Sequence, residues 1–537
     1  MERPWRALAV LCLANFLILL DTTIVNTAAP DIMASLDAGI DEVLWVLNGY
    51  LLAFASLLIV FGRVGDLVGP RAVFVAGLAV FTAASVLCGL STSPGVLIGA
   101  RVLQGVGAAA LTPQALTLIS GIFPAERRGA AFGIFTAVAG VAAVSGPTVG
   151  GLVVTEFGWQ WVFLLNIPFG LVGVVLALRF VPDLRAGRRH RFDAVGVVLA
   201  TGALLALVYA LVEGQRHDWG VIAGVVSIPA VLVLSALLGV AFLWWERRQR
   251  EPLVPLDLFR DRNYSVATGI TLISSFAVYG LLLVFVIETQ TLLGMSPLMS
   301  GVTALPWTIA LSAVAPLGGR LADRVGGKLP LTVGMALYAA GVLGVAFVPD
   351  TTSTPGTFVV PMLLVGVGMG LALAPATTEA MRDIPAERAG VASGVLNTAR
   401  QTGAALGAAV IGAVLQNRLV STLREESAAL ASRLPPEHRP RFLDAFEDAA
   451  AHGLRLGTGQ QGGVVVPDGL PPDTAAQFSA LSREAFGTAF LTASRAALVV
   501  AAGAILLGGL LALGLTRKTA PAGTIRHKSS NLEEDLR

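Results

Sequence analysis

Charged residues are scarce. Aspartate, glutamate, lysine and arginine make up 13% of the 537 residues, where a soluble globular protein carries about 25%. The formal net charge is +2, too small to point to a nucleic acid or an acidic partner. Cysteine occurs twice, as Cys12 and Cys88. Both fall in apolar runs, near opposite faces of the membrane in the topology below. A disulfide needs Cα atoms within about 7 Å, so free thiols are expected and no redox role follows. All five histidines fall in predicted loops or tails, so no intramembrane metal site is expected. No G-x-x-x-x-G-K-[ST] occurs, so there is no phosphate loop and no sign of an ATP-driven pump. No G-x-S-x-G occurs either. An embedded enzyme would need convergent nucleophile and base residues, and none are evident.

Apolar residues are abundant: 55% of the chain is hydrophobic and 60 residues are glycine, a type more frequent in membrane helices than in soluble ones. A spanning helix needs roughly 20 mostly apolar residues, and about fourteen segments qualify. They fall near 7–30, 43–62, 72–91, 95–120, 130–154, 161–180, 193–213, 220–245, 264–290, 298–318, 329–348, 357–380, 389–415 and 488–515. Their length and lack of alternation predict helices, not a barrel. Arg3 and Arg6 before an apolar run imitate a signal peptide, but that run contains Asp21 and further spans follow it. The connections "GRVGDLVGPR", "PAERRG", "RFVPDLRAGRRHRFD", "GRLADRVGGK" and "MRDIPAERAG" are basic, whereas "SLDAGIDE" and "PDTTSTPG" are not. The positive-inside rule puts the basic connections and both termini in the cytoplasm. One long connection, 417–487, falls outside. In it Phe442, Leu443, Phe446 and Leu454 form one helical face, and "GTGQQGGVVVPDGLPPD" reads as a turn or short hairpin. A folded outer lid is expected there, with a partner or substrate-entry role as the alternative. The tail 517–537 is polar, with the composition of a disordered segment.

The chain repeats itself. "GRVGDLVGPR" at 62–71 matches "GRLADRVGGK" at 319–328, and "PAERRGAAFG" at 124–133 matches "PAERAGVASG" at 385–394. Each member keeps its place among the spans. The reading is an all-α polytopic protein: an N-terminal six-helix half (1–190), two extra helices (191–246), a linker (247–263) and a C-terminal six-helix half (264–516). Parallel halves related by an axis along the membrane normal are the plan of alternating-access carriers, with substrate and ion sites between the halves.

Four motifs then carry a resemblance: "LDTTIVNTAAPDI" in the first span, "GRVGDLVGPR" after the second, "RVLQGVGAAALTP" in the fourth and "GVAAVSGPTVGG" in the fifth. With the extra central pair, the chain resembles the major facilitator superfamily, and within it the fourteen-helix drug:proton antiporters. The resemblance implies a monomeric exporter in the bacterial cytoplasmic membrane, with no cofactor but a proton gradient. It would expel hydrophobic drugs or antibiotics as protons enter. The alternative is a narrow exporter of one metabolite, amino acid or self-made antibiotic on the same fold.

Asp21 sits about 14 residues into the first span, roughly 21 Å deep by helical rise. An ionised carboxylate there costs about 2.5–3.5 kcal/mol or more. A carboxylate that cycles between charged and neutral can carry a proton or offer its charge to a cation, and the resemblance implies both. The structural alternative is an acid satisfied by Thr22, Asn26 or another helix. Arg101 lies at about the same depth on the fourth span by the same rise, with Gln104 on its face. Coupling to Asp21, direct or through water, is expected. The alternative is an arginine snorkelling outward. In the loop motif, Gly62, Gly65 and Gly69 permit a tight turn, Asp66 can cap a helix N-terminus, and Arg63 and Arg71 can bind Asp66, a helix end or lipid. The family reading makes Gly62, Arg63, Asp66, Gly69 and Arg71 a conformational latch, with Arg320 and Asp323 as the second copy. Gly140, Gly146, Pro147, Gly150 and Gly151 form a small-residue face with a kink, which the resemblance marks as the exporter motif. Cavity candidates are Asn26, Trp45, Tyr50, Phe54, Gln104, Phe276, Tyr279, Glu288, Trp307, Arg400 and Gln401. Their aromatic faces would suit lipophilic cations, although Glu288 also reads as an interface residue.

Overall fold

A backbone in hydrocarbon must satisfy its own hydrogen bonds, and helices do so within one segment. The computed structural model describes residues 4–184, 193–214, 216–217, 219–224, 226–249, 252–451 and 471–516. The first half holds α1 (Pro4–Leu36), α2 (Ile40–Val68), α3 (Pro70–Gly89), α4 (Pro94–Ile122), α5 (Ala125–Phe157), α6 (Gln160–Leu164) and α7 (Asn166–Phe180). A hairpin of α8 (Ala194–Glu213) and α9 (Ile228–Glu246) follows. The second half holds α10 (Arg262–Ile287), α11 (Pro297–Thr303), α12 (Leu305–Val325), α13 (Lys328–Phe347), α14 (Val359–Arg382), α15 (Ala389–Ala431), α16 (Arg439–Ala451) and α17 (Pro472–Leu513). Among the described residues, thirteen helices are long and apolar enough to cross a membrane. The 33-residue α5 packs beside α1 and α12, in the place of the fifth expected span.

Prolines and glycines account for several boundaries. Pro168 and Pro306 have no N–H for the carbonyls of Leu164 and Val302, and the sixth and tenth expected spans each break there, into α6–α7 and α11–α12. The segment expected to span from 220 instead begins as a ribbon. β1 (Val221–Ala223) pairs antiparallel with β2 (Val226–Ser227), and α9 starts only at Ile228. Ser227 accepts from the Ala230 N–H, and Pro229 lies in the first turn, so the helix begins where its cap is.

Within each half the neighbours correspond: α2 and α3 pack on α4, and α12 and α13 pack on α14. The halves meet along two seams, α2 against α15 and α5 against α12. By the repeat these are the same pair of elements exchanged between halves. The α8–α9 hairpin leans on α2 and α15 through α8. Its far face presents Leu234, Leu237 and Val240 outward, as lipid contact requires.

The long connection is mostly helix. α15 runs 43 residues and α17 runs 42, both well past the spans expected at 389–415 and 488–515. Between them Phe442 and Phe446 of α16 are buried, and Phe442 meets Phe478 at 4.9 Å between ring centroids. Leu443 is partly buried against the same core. Leu454 and the expected hairpin, apart from residues 471–473, lie outside the described residues, as does the tail 517–537. Cys12 and Cys88 are both free and buried.

Candidate functional site

α1 buries Asp21 completely. Its Oδ2 accepts from Arg101 Nη1 of α4 at 2.5 Å, and its Oδ1 accepts from Gln104 Nε2 at 2.8 Å and Asn166 Nδ2 at 3.1 Å. Gln104 and Asn166 both donate to Ser85 Oγ, at 2.9 and 3.3 Å. Arg101 is 1% exposed. It donates from Nε to the Val46 carbonyl at 3.1 Å and from Nη1 to Gln104 Oε1 at 2.6 Å. Its guanidinium lies 4.3 Å from the Tyr50 ring centroid. Arg101 therefore turns inward to Asp21 rather than outward to the membrane surface. A buried pair of this kind holds because extra hydrogen bonds satisfy both ions; removing one partner costs about 3–5 kcal/mol.

Asn166 and Ser85 were not singled out from sequence. Asn166 left a signal, an amide in the otherwise apolar "WVFLLNIPFG". The break before α7 places it at the start of that helix, facing Asp21. Ser85 left none, since a serine in "TAASVLCG" looks like any small packing residue.

A cavity of about 790 Å³ lies between the halves, a size that suits a drug-like molecule. Tyr50, Leu51 and Arg101 line it from the first half, and Tyr279, Gln401 and Ala408 from the second. It extends to Leu44, Arg216 and Gln416, all at least partly exposed. Of the expected cavity residues, Tyr50, Tyr279 and Gln401 are in its wall. The others are placed elsewhere in this conformation. Trp45 leans on Tyr209 with centroids 6.0 Å apart, and Phe54 stacks on Tyr50 at 5.9 Å. Gln104 sits behind Arg101, and Phe276 packs into the second-half core. Trp307 is buried and donates to Met369 Sδ at 3.1 Å. Glu288 is 2% exposed, at the start of a π-helical turn. Arg400 is partly buried beside Tyr279. The side chains of Asn26 and Pro147 lie outside the described residues.

Opposite the cavity mouth, two carboxylates bridge the halves. Asp66, near the end of α2, accepts from the Gly390 and Val391 N–H groups of α15 at 2.8 and 3.0 Å. Asp323, near the end of α12, accepts from the Gly129 and Ala130 N–H groups of α5 at 2.9 and 3.1 Å. Each acid of one repeated motif thus holds backbone N–H groups near the start of a helix opened by the other repeated motif, in the other half. Asp66 gains from both the free N–H groups of the first turn of α15 and its dipole, whereas Gly129 and Ala130 are the fifth and sixth residues of α5. The tight turn falls to Gly69, at φ 109°, and its counterpart Gly326, at φ 83°, a region that favours glycine. Gly62 and Gly65 lie inside α2 instead. A Cβ on Gly62 would strike the Gly390 backbone, and one on Gly65 would strike the Gln114 side chain. Arg63 is buried, within electrostatic reach of Asp66 and Glu246. Arg71 donates to the Leu178 carbonyl. Arg320 is exposed, so the two copies differ at that position.

In the fifth-span motif, Gly146 and Gly150 let α1 approach closely at Thr23, Ile24 and Thr27. Gly140 faces Ser312 of α12, and Gly151 faces open space. Among the described residues no group of three or more His, Cys, Asp or Glu could hold a metal ion.

The family described as Major Facilitator Superfamily matches residues 11–408. The chain is 39% identical to the multidrug resistance protein Stp of Mycobacterium tuberculosis over 76% of each chain. It is 35% identical to the tetracenomycin C resistance and export protein of Streptomyces glaucescens, over 97% of this chain and 93% of that one. The solved structure of the human organic anion transporter MFSD10 superposes with a TM-score of 0.58 at 13% identity, over 95% of this chain and 100% of that one. The last similarity is one of fold.

Proposed function

The chain belongs to the Major Facilitator Superfamily, and from that premise we propose that it exports hydrophobic drugs or antibiotics in exchange for protons. It is a multi-pass transporter of the bacterial cytoplasmic membrane, with relatives that confer antibiotic resistance. One observation carries the finer reading: a fully buried Asp21–Arg101 pair directly behind the wall of a drug-sized cavity. With Asp21 ionised, Arg101, Gln104 and Asn166 converge on it. A proton on Asp21 removes the charge they converge on, so α1, α4 and α7 lose a common anchor. The same event frees Arg101, which lines the cavity, to change its partners. Proton binding and the shape of the substrate site are then linked through one arginine.

The cavity mouth and the two bridging carboxylates lie at opposite ends. By the positive-inside rule the carboxylate end is cytoplasmic, so the substrate site here faces outward. Reaching the inward-facing state requires Asp66 and Asp323 to release the helices they hold. A second reading, narrow export of one antibiotic or metabolite, is favoured by the near full-length similarity to a protein named for a single compound, tetracenomycin C.

Energised everted vesicles with an acidic lumen test the proposal. A panel of lipophilic cations and antibiotics is added and lumenal pH followed for the wild type and Asp21→Asn. A rise in lumenal pH in the wild type alone supports antiport through Asp21. An equal rise in the mutant removes Asp21 from the mechanism. Silence to the whole panel favours the narrow exporter.

A further inference from the structure

The cavity wall contains arginines and none of the acids that pair with them. Arg101 is in the wall, whereas its partner Asp21 is fully buried and is not. Arg216 is in the wall, whereas Glu213, which it meets at 3.3 Å, is 3% exposed and is not. In both pairs the arginine belongs to the wall and the carboxylate does not; Arg216 is exposed there, whereas Arg101 is 1% exposed. Among the described residues no aspartate or glutamate lines the cavity.

A third arginine has no acid at all. Arg400 makes no ion pair or side-chain hydrogen bond among the described residues, and the titratable group it senses is Tyr279, a wall residue. It precedes the wall residue Gln401 and stands one turn before another, Ala404. A guanidinium cannot shed its charge, and leaving a charge unpaired at membrane depth is costly. Such residues face a cavity or a partner, and the ligand group that fits a free guanidinium is an anion. The rest of the wall fits an oxygen-bearing aromatic. Tyr279, 44% exposed, supplies a ring, and Asn48, Gln401 and Gln416 supply amide donors.

We propose that the cavity binds amphipathic aromatic anions, such as phenolates or carboxylates, with Arg400 as the charge-recognising residue, rather than lipophilic cations. The inference rests on the reading of this cavity as the substrate site and narrows its substrate class. An anion held at Arg400 does not compete with the proton for Asp21. Exchange then depends on the conformational cycle, and a membrane potential negative inside adds to the proton gradient in expelling the charge.

Two xanthene dyes of similar size and opposite charge test this, fluorescein as the anion and rhodamine 6G as the cation. Binding is read by fluorescence polarisation on the purified full-length protein. Fluorescein should bind at least tenfold more tightly than rhodamine 6G. Arg400→Gln should weaken fluorescein at least tenfold and leave rhodamine 6G unchanged, and Arg400→Lys should restore most of the loss. Tighter binding of rhodamine 6G, fluorescein binding indifferent to Arg400→Gln, or binding of neither dye would overturn the proposal. Should Arg400→Gln fail to fold, the dye pair on the wild type still decides the sign of the charge. Equilibrium binding needs no proton flux. Preference for the cation therefore leaves the export proposal standing, and silent vesicles leave a fluorescein preference standing.

Discussion

Asp66→Asn isolates the conformational role of the bridging carboxylates. In this conformation Asp66 accepts two backbone N–H bonds at 2.8 and 3.0 Å from the first turn of α15, and it is 6% exposed. Hydrogen bonds to a charged group contribute about 1.5–3 kcal/mol each, and the helix dipole adds about 0.3–1 kcal/mol. Asparagine keeps one acceptor oxygen but turns an NH2 group toward the other donor. The outward-facing state should lose about 2–3 kcal/mol, which moves a two-state equilibrium by roughly 30- to 150-fold. A cysteine placed in the cavity wall by Ala408→Cys reports the change, because both native cysteines are buried. A membrane-impermeant maleimide added from outside should label Ala408→Cys quickly in an otherwise wild-type chain and many-fold more slowly with Asp66→Asn. Labelling from the cytoplasmic side should rise in step. Asp323→Asn should act in the same direction but more weakly, since Asp323 is only half-buried and water screens its bonds. Outside labelling that is unchanged in the Asp66→Asn, Asp323→Asn double variant would refute the reasoning.

Further outcomes follow from other parts of the molecule. Gly133→Ala would put a Cβ 2.5 Å from the Ala315 carbonyl oxygen and 2.5 Å from Pro316 Cα across the α5–α12 seam, so it should shift maleimide labelling toward the cytoplasmic side as Asp66→Asn does. Arg101→Ala leaves Asp21 buried with only amide partners and should destabilise the fold by about 3–5 kcal/mol. Adding Asp21→Asn should recover part of that loss in a thermal unfolding assay. Asn166→Ala removes a 3.1 Å bond to Asp21 and should slow compound-driven proton release in everted vesicles by several-fold without changing expression. Phe442→Ala empties the aromatic contact with Phe446 and Phe478. It should lower stability by about 3–5 kcal/mol and leave substrate binding unchanged, separating the outer helices from the transport site.

The fold is legible in the sequence because its controlling forces are local and periodic. Twenty-residue apolar runs, basic connections and two motif pairs repeated at nearly the same offset need no knowledge of what packs on what. Asp21 and Arg101 stand out in the sequence as candidate site residues for the same reason: a charge inside an apolar run is costly wherever the run ends up. Their shared depth followed from counting residues at a known rise. The β-ribbon at 221–227 was missed because its residues are as apolar as a span, and only the cap at Ser227 tells where the helix starts. The lengths of α15 and α17 were missed because helices that leave the bilayer no longer need to be apolar.

The tertiary structure decided the rest, because it depends on contacts between segments far apart in the chain. The sequence offered two pairs of repeated motifs, but nothing local says that Asp66 reaches Gly390 and Asp323 reaches Gly129. That crossed wiring exists only once two halves face each other. Nor could sequence alone sort aromatic residues into wall and core. Tyr279 and Trp307 are equally apolar neighbours of the same cleft, yet one lines it and the other is packed against Met369. The charge of the cavity is likewise a tertiary property. Composition counts Asp21 and Arg101 as one negative and one positive charge; only the packing puts Arg101 in the cavity wall and Asp21 behind it.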